Sequence, residues 1–385
     1  MILRQAQDDK MLANYSRAAV TFVRGDGCML YDDQGREYLD FIGGIAVCAL
    51  GHAHPAIADA VAKQARTLVH VSNLYHHEPS GTLARELVAR SGLAKAFFCN
   101  SGTEANEAAI KLARKLAYRH GEIDRTTILA CSGSFHGRTL GALAATANEA
   151  YKVGFGPMPG GFAFTSFNDI AALERNLDAN VAAFIVEPVQ GESGVHVADA
   201  AFLQAARRLC DERGALLIFD EIQCGMGRVG PLFAFEHFGV VPDVVTLAKA
   251  LANGLPIGAM LVGERATTGL QPGDHGSTFG GSPIPAAAAL AHLRVRDELD
   301  LASSVPKRSA YVMERLRAFG EPRGIGLLIG LPVGESRVAG EIATALRAKG
   351  VLVGTAGGNA LRFAPPLIVT DAQIDTMLEK LEATL

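Results

Sequence analysis

Residues 216–219 (LLIF) are apolar without interruption, and two carboxylates, Asp220 and Glu221, follow at once. A short, unbroken apolar run is the pattern of a strand covered on both faces in a parallel sheet. Residues 244–248 (VVTLA) are again buried in character and lead directly into Lys249. Five more runs predict strands at 96–99, 127–131, 162–166, 182–186 and 259–262, with helices at about 104–120, 169–177, 199–213 and 232–238. Strands alternating with helices predict an α/β fold with a seven-stranded, mostly parallel, doubly wound sheet.

The flanks follow another pattern. Residues 1–50 open with a helix-like start, followed by short strands at 21–24, 29–31 and 38–41 separated by glycine turns. Such a meander is too short to bury a core alone. Amphipathic helices are expected at 55–68 and at 79–90, the second with Leu83, Leu87 and Val88 on one face, and a long helix at 284–297 leaves the sheet. Beyond 300 come a helix, a strand pair near 324–331, a helix at 338–349 and a last helix from 371. The expected organisation is a large domain over 51–290 and a smaller α+β domain over 291–385, joined by the N-terminal segment 1–50.

Composition narrows the function classes. Across 385 residues, 49% are hydrophobic, 20% are charged and the net charge is −4. Lysines and arginines are scattered, so no nucleic-acid partner is expected. The first residues, MILRQAQDDKM, lack the apolar core of a signal peptide, and no apolar run approaches the ~18 residues of a membrane span. The six cysteines show no metal-ligand spacing, so the expectation is a reducing cytoplasm without disulfides or structural zinc.

Open α/β sheets bind ligands beyond the C-terminal ends of their strands, where Asp220 and Lys249 fall. A lysine amine there can form a Schiff base with an aldehyde cofactor, and a carboxylate can keep a pyridine nitrogen protonated. A salt-bridged pair at a sheet edge is the alternative. Ser101, Gly102 and Thr103 end one strand and open a helix, offering hydroxyls and free N–H groups to a phosphate, or merely capping that helix. Phe135 can stack on a flat ring and Arg138 can grip a carboxylate, although an ordinary loop also accounts for both. The EPVQGE segment at 187–192 adds two carboxylates, 276–281 (GSTFGG) is a second candidate phosphate clamp, and Arg362 sits where a strand meets a proline turn.

Other signals are discounted. The GMGRVG segment at 225–230 fits a dinucleotide fingerprint, but five residues separate it from its strand and Pro231 follows. His52 and His54 have metal-ligand spacing without an acidic partner in sequence; a hydrolase using them with Lys249 is the alternative from another class. His76 and His77 are read in the same way.

Taken in order, NSGTEANEAAIK, SFHGRTLGAL, VEPVQGE, FDEIQCGMGR, LAKALANGLPIGA and GSTFGGSP resemble the class III aminotransferases, pyridoxal-phosphate enzymes of fold type I. The likeness runs from about Tyr15 to the C-terminus, and GGIAVCALGHAHP and LRFAPPL are most similar to members acting on acetylornithine. The resemblance implies transfer of a δ-amino group from N-acetylornithine to 2-oxoglutarate by a ping-pong route in a cytoplasmic homodimer. Related members use N-succinylornithine, N-succinyl-diaminopimelate, ornithine or 4-aminobutyrate. By position, Lys249 would be the Schiff-base lysine, Asp220 the partner of the pyridine nitrogen and Gln223 that of the ring hydroxyl. Phe135 and Ile222 would flank the ring, with Glu221 in the same cofactor segment, and Ser101, Gly102 and Thr103 would hold the phosphate, with Thr278 reaching it from a partner subunit. Arg138, Ser277 and Tyr15 would contact substrate, and Glu192 would mask Arg362 until a second carboxylate arrives. The chain departs from the family pattern at Cys48, Ser193 and Ser16-Arg17. Ile45 stands where ornithine transaminases carry tyrosine, which argues against free ornithine as best substrate.

Overall fold

The computed structural model describes residues 10–385. The large sheet contains, in chain order, β1 (Lys95–Cys99), β2 (Thr127–Cys131), β3 (Phe162–Thr165), β4 (Val181–Val186), β5 (Leu216–Asp220), β6 (Val244–Leu247) and β7 (Gly258–Val262). Its spatial order is β1-β7-β6-β5-β4-β2-β3. Alternation along the strands divides the core in two. Leu217, Phe219, Val245, Leu247 and Phe184 face one layer, while Leu216, Ile218, Val244, Ala183 and Ile185 face the other. Every side chain of β4, β5 and β6 is buried, as the unbroken apolar runs require.

The helix Gly102–Arg119 covers the second layer with Ala108, Ala109, Leu112, Ala113 and Leu116. Small side chains let its backbone approach the sheet closely. The helix Ala200–Arg213 covers the opposite layer through Phe202, Leu203, Ala206 and Leu209. Only β7 runs antiparallel to its neighbours. The link 248–257 between β6 and β7 holds a single 3-10 turn, Lys249–Ala252, rather than a crossover helix able to carry the chain back to the opposite edge. That geometry explains why the sheet is mixed.

The meander forms at Phe22–Asp26, Met29–Asp32 and Glu37–Asp40, and Val351–Leu352 pairs in parallel with its third strand. The two ends of the chain thus share one sheet. A second antiparallel sheet, built from Arg323–Ile325, Leu328–Pro332, Ala360–Phe363 and Gly354–Ala356, carries Arg362. The expected helical start is not seen in residues 10–21, which hold no helix; its first nine residues, including most of the MILRQAQDDKM segment, lie outside the described residues. A short hairpin, Val189–Gln190 with His196–Val197, was not expected from the sequence; it folds the EPVQGE segment back so that Glu192 faces Arg362.

Phe219 is fully buried between β4 and β6 and one helix layer. Phe219→Ala should lower the unfolding free energy by about 3–5 kcal/mol through the cavity it leaves. Val241→Ala, at an exposed position, should change it by less than about 0.5 kcal/mol. Denaturant titration of the two variants against the parent checks both.

Candidate active site

The strand ends converge on one cavity of about 410 Å³. It is lined by Asn100–Thr103 after β1, Phe135–Arg138 after β2, Glu187 after β4, Asp220, Ile222 and Gln223 at the end of β5, and Lys249 after β6. The sheet thus brings together side chains from five separate loops.

Asp220 is the most firmly held of them. It is 4% exposed; its Oδ2 accepts from Asn106 Nδ2 at 2.7 Å and pairs with His136 Nδ1 at 2.8 Å, and its Oδ1 accepts from the Ile222 N–H at 3.0 Å. Asn106 is oriented in turn by Thr246, whose hydroxyl donates to its Oδ1 at 2.8 Å, and by its own second bond to the His136 carbonyl at 2.7 Å. An anionic carboxylate in a buried site needs such donors to offset lost hydration.

Lys249 enters the cavity from a left-handed backbone position, φ 43°. Strain of this kind persists only where the surroundings over-determine it, and it clusters at functional sites. Burial lowers the pKa of its amine, while the charges of Glu192 and Asp220 pull the other way. An amine so shifted spends more time neutral, the form that can attack a carbonyl or accept a proton.

The other carboxylates divide by environment. Glu187 Oε2 accepts from the Phe135 N–H at 2.9 Å, and burial together with the Asp220 charge raises its pKa well above the usual range. Burial would also raise Glu192, but the Arg362 charge and hydrogen bond outweigh it and hold the carboxyl below its usual value. That ion pair is 2.5 Å long, and Gln223 Nε2 donates to the same Glu192 oxygen at 3.2 Å.

The first turn of the helix Gly102–Arg119 opens into the cavity. Ser101 caps it, its Oγ accepting from the Glu104 N–H at 3.3 Å. The N–H groups of Gly102 and Thr103 precede the helical ladder and point outward at the positive end of the helix dipole. A Cβ on Gly102 would come within 2.7 Å of Ile222 Cδ1, so glycine permits the close approach of this turn to β5's end. Phe135 lines the same cavity, and the Arg138 guanidinium lies over the Tyr151 ring at 3.8 Å.

Three sequence-predicted residues stand apart. Glu221 points away from the cavity, where its oxygens accept from the Ala234 and Phe235 N–H groups at 2.5 and 2.7 Å and cap the helix Ala234–Phe238. Alternation along the chain sends adjacent carboxylates to opposite sides, so only Asp220 of the pair can face the ligand. Thr278 is exposed in this chain and is not among the cavity-lining residues; its neighbour Ser277 is nearer, accepting from Asn100 Nδ2 at 3.1 Å. Tyr15 is 70% exposed, and its ring lies 5.5 Å from the Arg17 guanidinium. Conversely, Asn106, His136 and Thr246 were missed by the sequence reading. Asn106 carried a usable signal: it is a polar residue in the alanine stripe Ala105, Ala108, Ala109 that faces the core.

A fold of this type with a lysine and an anchored carboxylate at one strand edge defines a class of transferase, and the chain belongs to the class III aminotransferases. The family model Aminotransferase class-III matches residues 11–385. Its reaction therefore passes an amino group between an amino donor and a keto acid. Acetylornithine aminotransferase from Methanocaldococcus jannaschii is 46% identical over 96% of this chain and 94% of its own length. The protein of the same name from Pseudomonas putida is 44% identical over 97% and 95%. Among solved structures, ornithine aminotransferase from Toxoplasma gondii superposes with a TM-score of 0.95 at 34% identity, covering 99% of this chain and 94% of that one. N-acetylornithine aminotransferase from Stenotrophomonas maltophilia gives 0.85 at 39% identity, with 97% of each chain covered.

Burial raises the Glu221 pKa to about 8, against the pull of its two N–H donors. Glu221→Ala should strand both buried donors and cost about 2–6 kcal/mol of stability. The expected readout is a large drop in thermal midpoint with cofactor binding retained at low temperature. Lost cofactor binding at unchanged stability would instead return Glu221 to the site.

Proposed function

We propose that this chain is a pyridoxal-phosphate-dependent transaminase that moves the δ-amino group of N-acetylornithine to 2-oxoglutarate. The observation that carries the reading is the meeting of the Lys249 amine and the triply bonded Asp220 carboxylate in one cavity beside an open helix N-terminus. Support for the donor comes from relatives of that name at 44–46% identity along nearly the whole chain.

When bound, pyridoxal phosphate supplies an aldehyde that condenses with amines and a protonated ring that accepts the electrons of a broken C–H bond. The residues fit such a group. Asp220, fixed on both oxygens, would hold the proton of the ring nitrogen, and the Gln223 amide would meet the ring hydroxyl. Phe135 and Ile222 would flank the ring. Ser101, Gly102 and Thr103 would receive the phosphate, where the helix dipole favours negative charge.

The remaining steps belong to the side chains. Lys249, neutral more often than a free lysine, would take the proton from the substrate carbon that bears the amine and deliver it to the carbon on the far side of that nitrogen. Arg138 holds the α-carboxylate of the donor with paired hydrogen bonds. Glu192 covers Arg362 while the donor, with its neutral acyl group, is in place. When 2-oxoglutarate arrives, its second carboxylate displaces Glu192 and takes the Arg362 guanidinium. One pocket then serves both half-reactions, which requires ping-pong kinetics. Ser277 and Tyr15 would close the substrate end. Thr278, exposed on its own chain, would complete the phosphate site of a second copy in a homodimer. A cytoplasmic location agrees with six free cysteines. The hydrolase alternative fails at His52, whose ring nitrogen is committed to Asp40 at 2.8 Å.

Steady-state assays at several fixed 2-oxoglutarate concentrations should give parallel double-reciprocal lines, with N-acetylornithine preferred over ornithine. Lys249→Ala should lose at least about a thousandfold in kcat, the scale of a lost proton-transfer group combined with a lost nucleophile. Intersecting lines, or ornithine as the better donor, would overturn the proposed substrate and route.

A further inference from the structure

The link between β6 and β7 lines the active cavity at both of its ends, with Ala248 and Lys249 at one and residues 254–257 at the other. Its middle is the 3-10 turn Lys249–Ala252, closed by Asn253. Lys249 and Asn253 both have left-handed backbone, with φ of 43° and 49°. Asparagine adopts that region readily and lysine does not, so outside contacts must keep the turn in place.

Two contacts do so. On the core side, the fully buried His292 of the helix Pro283–Glu298 places Nδ1 at 3.3 Å from the Leu251 carbonyl. A carbonyl only accepts, so Nδ1 carries the ring's proton. On the other side stands Asn253. Its Oδ1 accepts from the Leu50 N–H at 2.7 Å, and its Nδ2 donates to the Gly51 carbonyl at 3.0 Å. One side-chain amide is thus paired at both ends with a single stretch of backbone, as a neighbouring strand would be.

That stretch is itself fixed. Gly27 and His52 exchange N–H···O bonds of 3.1 and 2.8 Å, and the Leu367 N–H donates to the Ala49 carbonyl at 2.7 Å. A Cβ on Gly51 would come within 2.4 Å of the Gly27 carbonyl oxygen, so the loop lies directly on the meander. Asn253 therefore ties the turn that begins at Lys249 to buried backbone shared by the meander and the segment after Arg362. Asn253 itself is not among the cavity-lining residues, so what it does to the chemistry passes through Lys249.

We propose that Asn253 is a positioning residue for Lys249: by holding its turn against residues 50 and 51, it sets where the amine stands relative to the bond that it must break. The inference rests on the reading of Lys249 as the amine that moves the proton. A displacement of about 1 Å in a reacting group costs on the order of a hundredfold in rate. A residue that places the amine, and does not bind substrate, affects the chemical step while leaving substrate affinity alone.

The test compares the parent with Asn253→Gly and Asn253→Asp. Glycine keeps the left-handed backbone and deletes both bonds. Aspartate keeps the acceptor for Leu50 and loses the donor to Gly51. Single turnovers of the cofactor-loaded proteins with their preferred amino donor, followed by cofactor absorbance, separate the limiting rate from the half-saturating concentration. Asn253→Gly should lower the limiting rate about 10- to 100-fold with half-saturation within about twofold of the parent, and Asn253→Asp should fall between the two. In the cofactor-free proteins, amides of residues 249–253 should exchange hydrogen about tenfold faster in Asn253→Gly, while those of β5 keep the parent's protection. An unchanged limiting rate in either folded variant, or a loss confined to half-saturation, would overturn the proposal and leave Asn253 a structural staple. Borohydride trapping in the parent keeps the two failures apart. An adduct away from Lys249 contradicts the reading of that lysine, whereas an adduct on Lys249 with unchanged variant rates contradicts the role of Asn253 alone.

Discussion

The structure turns on one carboxylate that cannot move. Asp220 lies at the end of a strand buried on both faces, and three donors from three places converge on it: Asn106 from a helix, His136 from a loop and the Ile222 N–H from the turn that follows the strand. A flexible acid at this position would rotate away. One fixed on both oxygens holds its charge at a single point, so whatever cation the ligand presents is met without reorganisation.

Holding that point requires much of the large sheet and the helices packed on it. The alternating side chains of β5 lock the strand between two apolar layers, so Asp220 emerges at a set height and angle. The helix Gly102–Arg119 contributes twice: its first turn faces the cavity, and its second presents Asn106 to Asp220. Thr246, on the neighbouring strand β6, fixes the direction of that amide and sits three residues before Lys249. Moving the lysine therefore disturbs the acid, and the reverse. The carboxylates at this edge do not behave alike: burial raises Glu187, while the charge and hydrogen bond of Arg362 lower Glu192. Two titratable groups whose surroundings push them apart can take separate roles in one reaction.

How much of this was legible in the sequence depended on whether the signal was local. The apolar runs marked all seven strands to within a residue or two, because strands covered on one or both faces leave few positions for a polar side chain. Residues 220, 249, 102, 103 and 135 were placed in the site by their position just past those runs. Glu221 was grouped with Asp220 because composition does not say which of two adjacent carboxylates points outward; the strand's alternation turns its side chain toward the Ala234 and Phe235 N–H groups. Asn106 and His136 were missed for another reason. The alanine stripe around Asn106 marks it as an odd polar residue on a core face, but its partner is fixed only once a helix and a loop 30 residues apart in sequence meet at Asp220. The antiparallel course of β7 was equally invisible, since it depends on a short 3-10 link where a crossover helix was the ordinary expectation.

The central claim is that the Lys249 amine, opposite the anchored Asp220, is the group that binds an aldehyde cofactor. Borohydride reduction of the protein loaded with pyridoxal phosphate, followed by digestion and peptide mapping, tests it most directly. The account predicts a single stable adduct on the peptide that carries Lys249, in a yield matching one cofactor per chain. An adduct spread over surface lysines, or confined to a peptide without residue 249, would contradict it.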